Sequence, residues 1–249
     1  MPDGPESEAG PLQYLRRTPG VTERHSRALY CCTFTMRTTS SLRGRAMKRQ
    51  AVAMNGHSSN GRRVEIFEKA ARQFREKSYA ATSMADIAAV VGMRKGGLYN
   101  HISSKQEILE HVAGIAIAYL KRTTGEMQAI GATDPERLIA HGIRRRVEFA
   151  CEHADVIAVL TKDRHHLAPG QLQAVTTLHR RFRRLIREAI VVGITRRAFA
   201  PTNPGVATHS IMGMTNWVYE WYDPGGSLTP QELGEQLSRL FLNGLRARR

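Results

Sequence analysis

The chain has 249 residues, with 37 lysines and arginines against 22 aspartates and glutamates, so its formal net charge is +15 and its isoelectric point is near 10.4. This length supports a sizeable hydrophobic core, which excludes a peptide hormone or a disulfide-held miniature scaffold. The excess charge favours a polyanionic partner. Residues 1–60 and 61–105 each hold nine basic and four acidic side chains, and residues 106–249 hold nineteen and fourteen. The basic density is therefore higher in the first two segments.

The cysteines and the N-terminus bear on the compartment. Cys31, Cys32 and Cys151 match neither a disulfide framework nor the spacing of a zinc site. The chain begins without the basic and apolar regions of a signal peptide, and it has no apolar run of about 18 residues, as a membrane span needs. We therefore expect a cytoplasmic protein with no membrane segment, no metal and no other cofactor.

Residues 1–60 mix proline, glycine, serine, threonine and arginine without a sustained period, which predicts a disordered tail. Met36, Met47 and Met54 lie within this segment, so a start codon placed too far upstream would give the same pattern. A basic arm that enters the DNA minor groove is a less favoured alternative.

Residues 61–106 carry the pattern of three short helices. The first has apolar side chains at three- and four-residue spacing and ends near Lys77; they are Ile66, Phe67, Ala70, Ala71 and Phe74. Ser83 and Asp86 predict a capping box that opens the second helix, and Gly92 ends it. A third helix over residues 95–101 is anchored inward by Leu98 and Ile102.

Two short helices joined by a glycine-led turn are typical of a helix-turn-helix, whose second helix enters the DNA major groove. The outward residues of that helix suit the task, since asparagine pairs with adenine, arginine and lysine with guanine, and tyrosine with phosphate. We expect DNA contacts from the turn and the third helix, and from a lysine just beyond it, at Arg94, Lys95, Gly96, Gly97, Tyr99, Asn100, His101 and Lys105.

The remainder of the chain also predicts helices and no strands. A capping box at Ser104 and Glu107 opens a fourth helix, and apolar periodicity predicts another over roughly residues 171–192. Three further starts are signalled by a capping residue followed by proline, at Asp134-Pro135, Asn203-Pro204 and Thr229-Pro230. The fold class expected is all-α with about nine helices, of which the one opened at Asn203 reaches Tyr222.

Residues 82–109 resemble the N-terminal signature of the TetR family of transcriptional repressors. The residues in register are Thr82, Asp86, Ile87, Ala88, Gly92, Lys95, Gly96, Leu98, Tyr99, His101, Ser104, Lys105 and Leu109. The resemblance implies a DNA-binding domain over residues 61–106, a ligand-binding and dimerisation domain over residues 107–249, and a homodimer. It also implies that Thr82, Lys95, Tyr99, His101 and Lys105 face DNA. Val91, Met93, Arg94 and Ile102 depart from the family pattern.

The segment from Asn216 to Thr229 resembles TetR-like repressors of fatty-acid and steroid breakdown, many of which respond to acyl-CoA thioesters. Such an effector needs an apolar tunnel and cations for its phosphates. We expect ligand contacts from Phe149, Leu160, Phe182, Arg184, Met212, Trp217 and Trp221, with Arg184 in the arginine-rich stretch of residues 180–187. Ordinary core packing and a solvated arginine face are the alternatives, and an uncharged hydrophobic effector stays open.

The last two predicted helices have broad apolar faces that suit a four-helix dimer interface. The residues expected there are Ile211, Thr215, Val218, Leu237, Leu240 and Phe241. Alternatively, these faces close the core of one protomer.

An enzyme is the main rival class, but the chain has no glycine-rich phosphate loop after a strand and no HExxH, CxxC or GxSxG motif. His165 and His166 near Asp163 do not suit one metal ion, because adjacent residues on a helix point about 100° apart. A nonspecific architectural DNA binder would not need the long C-terminal body. We therefore expect a non-enzymatic, ligand-responsive regulator, most simply a repressor that a small effector, such as an acyl-CoA, releases from a palindromic operator. The alternatives are a regulator of efflux or drug response and, remotely, a helical enzyme with an unrecognised site.

Overall fold

A computed structural model describes residues 59–247, and it is helical throughout. The helices are α1 (Ser59–Lys77), α2 (Met84–Val90), α3 (Lys95–Leu98), α4 (Lys105–Ile130), α5 (Pro135–Glu152), α6 (Ala154–Lys162), α7 (Pro169–Thr195), α8 (Pro204–Asn216), α9 (Val218–Trp221) and α10 (Pro230–Leu245), with a 3-10 turn at Arg164–His166. Over this range the only β-type pairing is an isolated bridge between Phe199 and Arg246. The all-α class is confirmed. The predicted tail lies outside the described residues, except for Ser59 and Asn60, which begin α1.

Helix starts follow the predicted capping residues with one exception. Ser83 and Asp86 form the reciprocal capping box, and bonds from Ser83 and Lys77 lower the pKa of Asp86 to about 2. At α4 the Ser104 hydroxyl accepts from the amide of Glu107 at 3.3 Å, but the Glu107 carboxylate accepts from Ser103 instead of Ser104. The capping box predicted at Ser104 is therefore only half formed. The caps at Asp134, Asn203 and Thr229 are confirmed.

Three segments differ from the predicted helices. α6 has no counterpart among them, and the helix expected to reach Tyr222 is interrupted at Trp217. The regular part of α3 ends at Leu98, three residues early, although Ile102 still donates to the carbonyl of Leu98 at 3.1 Å. Two adjacent glycines in α3 account for this, since glycine costs about 1 kcal/mol relative to alanine inside a helix.

Two clusters of buried side chains hold the fold together. One joins the apolar faces of α1 to α3 to the first half of α4 and to α6, with Leu98 and Val159 in the same cluster. The other lies between α5, α7, α8 and α10. α4 runs without a break across the predicted domain boundary after residue 106. The first three helices therefore share a hydrophobic core with α4 and α6. We expect a movement of α4 or α6 to change the packing of these three helices.

None of the helices described between residues 59 and 247 has the combination of length and apolar character that a membrane span requires.

Candidate DNA-binding face and effector cavity

α2 and α3 cross through apolar side chains that the sequence predicts correctly. Ile87, Ala88 and Leu98 are buried at the crossing, and Ile102 is buried beyond α3. Gly92 ends α2 with φ of 69°, a left-handed conformation that glycine adopts without the steric cost of a Cβ atom. This turn orients α3 so that the side with Leu98 packs inward and the other side faces outward.

The outward side of α3 carries polar groups that are free to bind a partner. Arg94, Lys95, Gly96, Tyr99 and Asn100 are exposed, with Tyr99 at 48%. Gly97 and His101 are half-buried beside them. Across the described part of the chain, no hydrogen bond or ion pair is formed by the side chains of Lys95, Tyr99 or Asn100. Such donors and acceptors on a short helix are the chemistry of base and phosphate recognition.

The side chains of Thr82 and Lys105 face inward and stabilise the turn between α1 and α2. Thr82 is 1% exposed, and its hydroxyl donates to the carbonyl of Ser78 at 2.8 Å. The Lys105 ammonium donates to the carbonyls of Tyr79 and Thr82 at 2.6 and 3.0 Å and lies 4.2 Å from the centre of the Tyr79 ring. The prediction of a DNA contact by the Thr82 side chain is therefore wrong. Lys105 anchors the turn between α1 and α2, and its contact with phosphate stays a prediction.

Lys105→Met tests this anchoring role. We expect it to lower the free energy of unfolding by about 2 kcal/mol, because two carbonyls lose a charged donor. Lys95→Met is the matched control: the Lys95 ammonium has no partner in the described structure, so the free energy of unfolding should change by less than about 0.5 kcal/mol. In the same variant, the slope of the logarithm of DNA affinity against the logarithm of salt concentration should fall by about 1. Urea denaturation and titration of DNA binding against salt measure the two quantities. Equal stability of the two variants would contradict the assignment.

Behind the DNA-binding unit, a cavity of about 590 Å³ lies between α4, α5, α6, α7 and α8. Its volume is that of a site for a drug-sized ligand. Of the predicted ligand residues, Phe149, Leu160 and Met212 line it. Its other apolar walls include Ile157, Leu172 and Val175.

The other four predicted ligand residues lie elsewhere. Phe182 is fully buried in the core, and Arg184 is exposed with its guanidinium 3.8 Å from Glu188. Trp217 and Trp221 are 60% and 52% exposed and do not line the cavity. The cavity therefore gives no support to these four assignments, which stay predictions. For α7 the cause is helix rotation: Arg183, one residue earlier, lies on the face that reaches the cavity.

The charged part of the cavity lining is cationic, beside neutral polar groups such as Thr161 and Asn216. Arg146, Arg164, His179 and Arg183 reach the cavity, and no aspartate or glutamate among the described residues does so. Burial, together with the charges of Arg146, Arg183 and Arg164, lowers the pKa of His179 to about 4. The imidazole is therefore neutral at neutral pH while the guanidiniums keep their charge. The lining favours an anionic ligand.

Arg146 is not among the predicted ligand residues, although the sequence carries a signal for it. Ile143, Arg146 and Ala150 follow one another at three- and four-residue spacing, so the arginine lies in the apolar stripe of α5. It is 7% exposed, and its Nε donates to the Thr215 hydroxyl at 3.0 Å. A charged residue in an otherwise apolar stripe indicates a buried polar function.

A second cavity of about 400 Å³ adjoins the first. The rings of Tyr119 and Phe149 stack at 4.0 Å and line both cavities, so they form part of the wall between them. The Tyr119 hydroxyl is buried beside the Thr123 hydroxyl and forms no well-aligned hydrogen bond in the described structure, and burial raises the pKa of Tyr119 to about 12. This hydroxyl is therefore a protonated donor.

The expected dimer face is divided between core and surface. Ile211, Thr215 and Val218 are buried within the protomer, so their assignment to an interface is wrong. Leu240 is 67% exposed on α10, with Leu237 and Phe241 half-buried near it. Along α8 the exposed residues recur at three- and four-residue spacing, at Val206, Ser210 and Gly213, and the exposed Trp217 follows at the end of the helix. The candidate interface therefore keeps the three predicted residues of α10 and takes the exposed face of α8 in place of the three buried ones.

Comparison with known proteins agrees with this architecture. Residues 66–112 match the model for bacterial regulatory proteins of the tetR family, and residues 132–245 match the tetracyclin repressor-like C-terminal domain. The transcriptional repressor KstR2 of Mycobacterium tuberculosis (strain ATCC 25618 / H37Rv) is 29% identical over 189 residues, covering 75% of this chain and 94% of KstR2.

Solved structures give the same result. A structure of the ketosteroid transcriptional regulator KstR2 of Mycobacterium tuberculosis has a TM-score of 0.68 and 25% identity, and the match covers 76% of this chain and 97% of that one. AibR in complex with isovaleryl coenzyme A and operator DNA shares the fold, with a TM-score of 0.58, 23% identity, and coverage of 72% and 97%. The chain belongs to the TetR family of transcriptional regulators.

Proposed function

We propose that this chain represses transcription by binding a palindromic operator as a homodimer, and that a small anionic effector in the 590 Å³ cavity releases it. The outward face of α3 carries the proposal. Its exposed Arg94, Lys95, Tyr99 and Asn100 lie over a buried inner side, as major-groove recognition requires.

A dimer is favoured because one recognition helix buries too little surface for a tight operator. Two copies related by a twofold axis present two such helices, and these meet successive major grooves when they lie about 34 Å apart. The exposed faces of α8 and α10 are the surfaces that we assign to this association. A twofold interface uses the same patch on both copies, so an apolar residue such as Leu240 meets its own patch across the axis.

The effector class follows from the cavity lining. An acyl-CoA thioester is the leading candidate, since apolar walls suit its acyl chain and the arginines at Arg164 and Arg183 suit its phosphates. AibR indicates that this fold can hold such a thioester together with operator DNA. An uncharged effector of the drug-response type is less favoured, because it would leave the cationic lining unbalanced. We propose no catalytic role, and we propose that the protein works in the cytoplasm.

α6 is the element that we expect to couple effector to DNA. Ile157 and Leu160 line the cavity. On the opposite side, Asp155 is 3.3 Å from the guanidinium of Arg75 in α1, and Asp163 accepts from the amide of Tyr79 at 3.0 Å. A ligand that displaces α6 therefore alters the support of the helix-turn-helix. The ligand shifts the protein from its DNA-binding conformation to the released one only as far as its affinities for these two conformations differ.

Footprinting tests the DNA half of the proposal. The full chain should protect a discrete palindrome near its own gene, and addition of an effector should abolish the protection. The useful effector panel is a thermal-shift series of acyl-CoAs, free acids and uncharged drugs. If footprinting shows no discrete protected site, the repressor assignment is wrong. If only uncharged drugs raise the melting temperature, the effector is not anionic.

Tyr99→Phe and Asn100→Ala separate the two kinds of DNA contact. Loss of the Tyr99 hydroxyl should weaken binding to all sequences by about 1 kcal/mol, because a phosphate contact carries no sequence information. Loss of the Asn100 amide should reduce discrimination at one base pair by about 1–3 kcal/mol. Competition binding on operators mutated one position at a time measures both effects. The reverse pattern would mean that α3 presents a different face to DNA.

A further inference from the structure

Arg146 is a buried charge without an acidic partner. Its Nε is bonded to the Thr215 hydroxyl at 3.0 Å, and its guanidinium carbon lies 5.2 Å from the centre of the Phe182 ring. Those two contacts are neutral, and in the described structure the rest of the guanidinium forms no hydrogen bond and no ion pair. An isolated buried charge is strongly unfavourable, and its retention in the wall of a cavity indicates a partner that comes from outside the chain.

Tyr119 is a second, independent indication at the same place. Its buried hydroxyl forms no well-aligned hydrogen bond, since its polar neighbour is the Thr123 hydroxyl, which is itself unsatisfied, and Tyr119 lines the same cavity as Arg146. A buried donor without a well-aligned acceptor costs free energy. The two side chains together present a guanidinium fork and a hydroxyl, and both donate.

We infer that the cavity takes an organic acid whose carboxylate binds the guanidinium of Arg146, with the Tyr119 hydroxyl as an additional donor. A carboxylate accepts two parallel bonds from a guanidinium and has lone pairs left for a hydroxyl. The apolar walls formed by Phe149, Leu160 and Met212 then cover the hydrocarbon body. Arg146 is almost fully buried whereas Arg164 and Arg183 are exposed, so this carboxylate lies at the inner end of the ligand.

The inference rests on the proposed effector cavity and narrows it. A simple acyl-CoA directs its uncharged alkyl end inward and leaves Arg146 without a partner. A free acid, or a thioester whose far end carries a second carboxylate, satisfies it. The shared chemistry is the buried carboxylate, and the two sources are separated by the ligands used in the test.

The experiment is calorimetric binding to the full chain. Dodecanoic acid and cholanic acid are compared with their primary amides, which keep the shape and lose the charge, and dodecanedioyl-CoA is compared with dodecanoyl-CoA. At least one member that carries the free carboxylate should bind roughly tenfold or more tightly than its neutral-ended counterpart, the range of a charge-assisted contact. A preference only within the acid and amide pairs identifies a free acid, and a preference within the thioester pair identifies an acyl-CoA that carries a second carboxylate.

Arg146→Met should abolish that preference, and Tyr119→Phe should reduce it about threefold while keeping the ring stack with Phe149. Arg184→Met is the matched control, because it removes an exposed arginine outside the cavity and should keep the preference. The ligand-free Arg146→Met chain should also melt no lower than the native chain, since it loses an unpaired buried charge.

Equal binding within all three ligand pairs, or a preference that survives Arg146→Met, would overturn the inference. If Arg146→Met fails to fold, Arg146 is a structural residue and the inference is wrong, whatever Tyr119→Phe shows. A second assay, release of operator DNA by the same ligands, tests the proposed function separately from the carboxylate site. Release by dodecanoyl-CoA without any preference for carboxylates would leave the effector model standing and remove the carboxylate site. If a carboxylate binds in an Arg146-dependent way but does not release operator DNA, the carboxylate site stands and the effector model fails.

Discussion

Leu240→Glu is expected to convert the protein from a dimer to a monomer and to lower operator affinity roughly a thousandfold. Leu240 is the most exposed of the large apolar side chains in the described structure. A twofold interface would bury two introduced carboxylates, one from each copy, where two apolar side chains lay before. The DNA affinity falls because each recognition helix then binds its half-site alone. Light scattering after size exclusion and fluorescence anisotropy with operator DNA measure the two effects.

Val191→Glu is the matched control for this variant. Val191 is an exposed apolar residue on α7, outside the faces of α8 and α10 that we assign to the dimer. The same change of charge there should leave both the mass and the DNA affinity unchanged. A dimeric Leu240→Glu variant with native operator affinity would show that the copies associate through another surface.

The helix-turn-helix could be predicted closely because its signals are local. Ser83, Gly92 and Leu98 each act through neighbours a few residues away, by capping, by a left-handed turn or by packing at helical spacing. A match of several such signals in register fixes both the helices and the face that they bury. Thr82 shows the limit of carrying a family role to one residue, since its hydroxyl is bonded to Ser78 and faces inward.

The cavity and the dimer face could be predicted less well because they depend on the rotation of long helices. A shift of one residue turns a side chain by about 100°, so Arg183 lines the cavity while Arg184 points to solvent. Ile211 and Thr215 belong to an apolar stripe, but such a stripe does not indicate whether it packs inside one protomer or between two. The place of Arg146 in the apolar stripe of α5 indicates that it is buried, but only the arrangement of the helices around α5 shows that it lines the cavity.

The join between the end of α7 and the C-terminus is another feature that only the three-dimensional structure reveals. Gly193 lies in the last turns of α7, and its carbonyl accepts from the amides of Ala198 and Phe199 at 2.9 and 3.1 Å. The Phe199 ring packs directly over Gly193 and is 1% exposed. Next to it, the amide of Ala200 donates to the carbonyl of Leu245 at 2.7 Å, which ties this turn to the end of α10. The turn that packs on Gly193 is therefore hydrogen-bonded to the end of α10.

Gly193→Ala is expected to lower the free energy of unfolding by about 3 kcal/mol, at the upper end of what overpacking usually costs. A methyl group at this position overlaps the Phe199 ring, so the ring or the turn must move and the bonds to Gly193 and Leu245 weaken. Gly114→Ala is the control, because Gly114 lies exposed on α4 with nothing near its Cβ position and should gain about 0.5–1 kcal/mol from helix propensity. Urea denaturation at one protein concentration compares them. Because the turn holds the end of α10, Gly193→Ala should also weaken dimerisation, whereas a variant as stable as Gly114→Ala would show that Phe199 can repack freely.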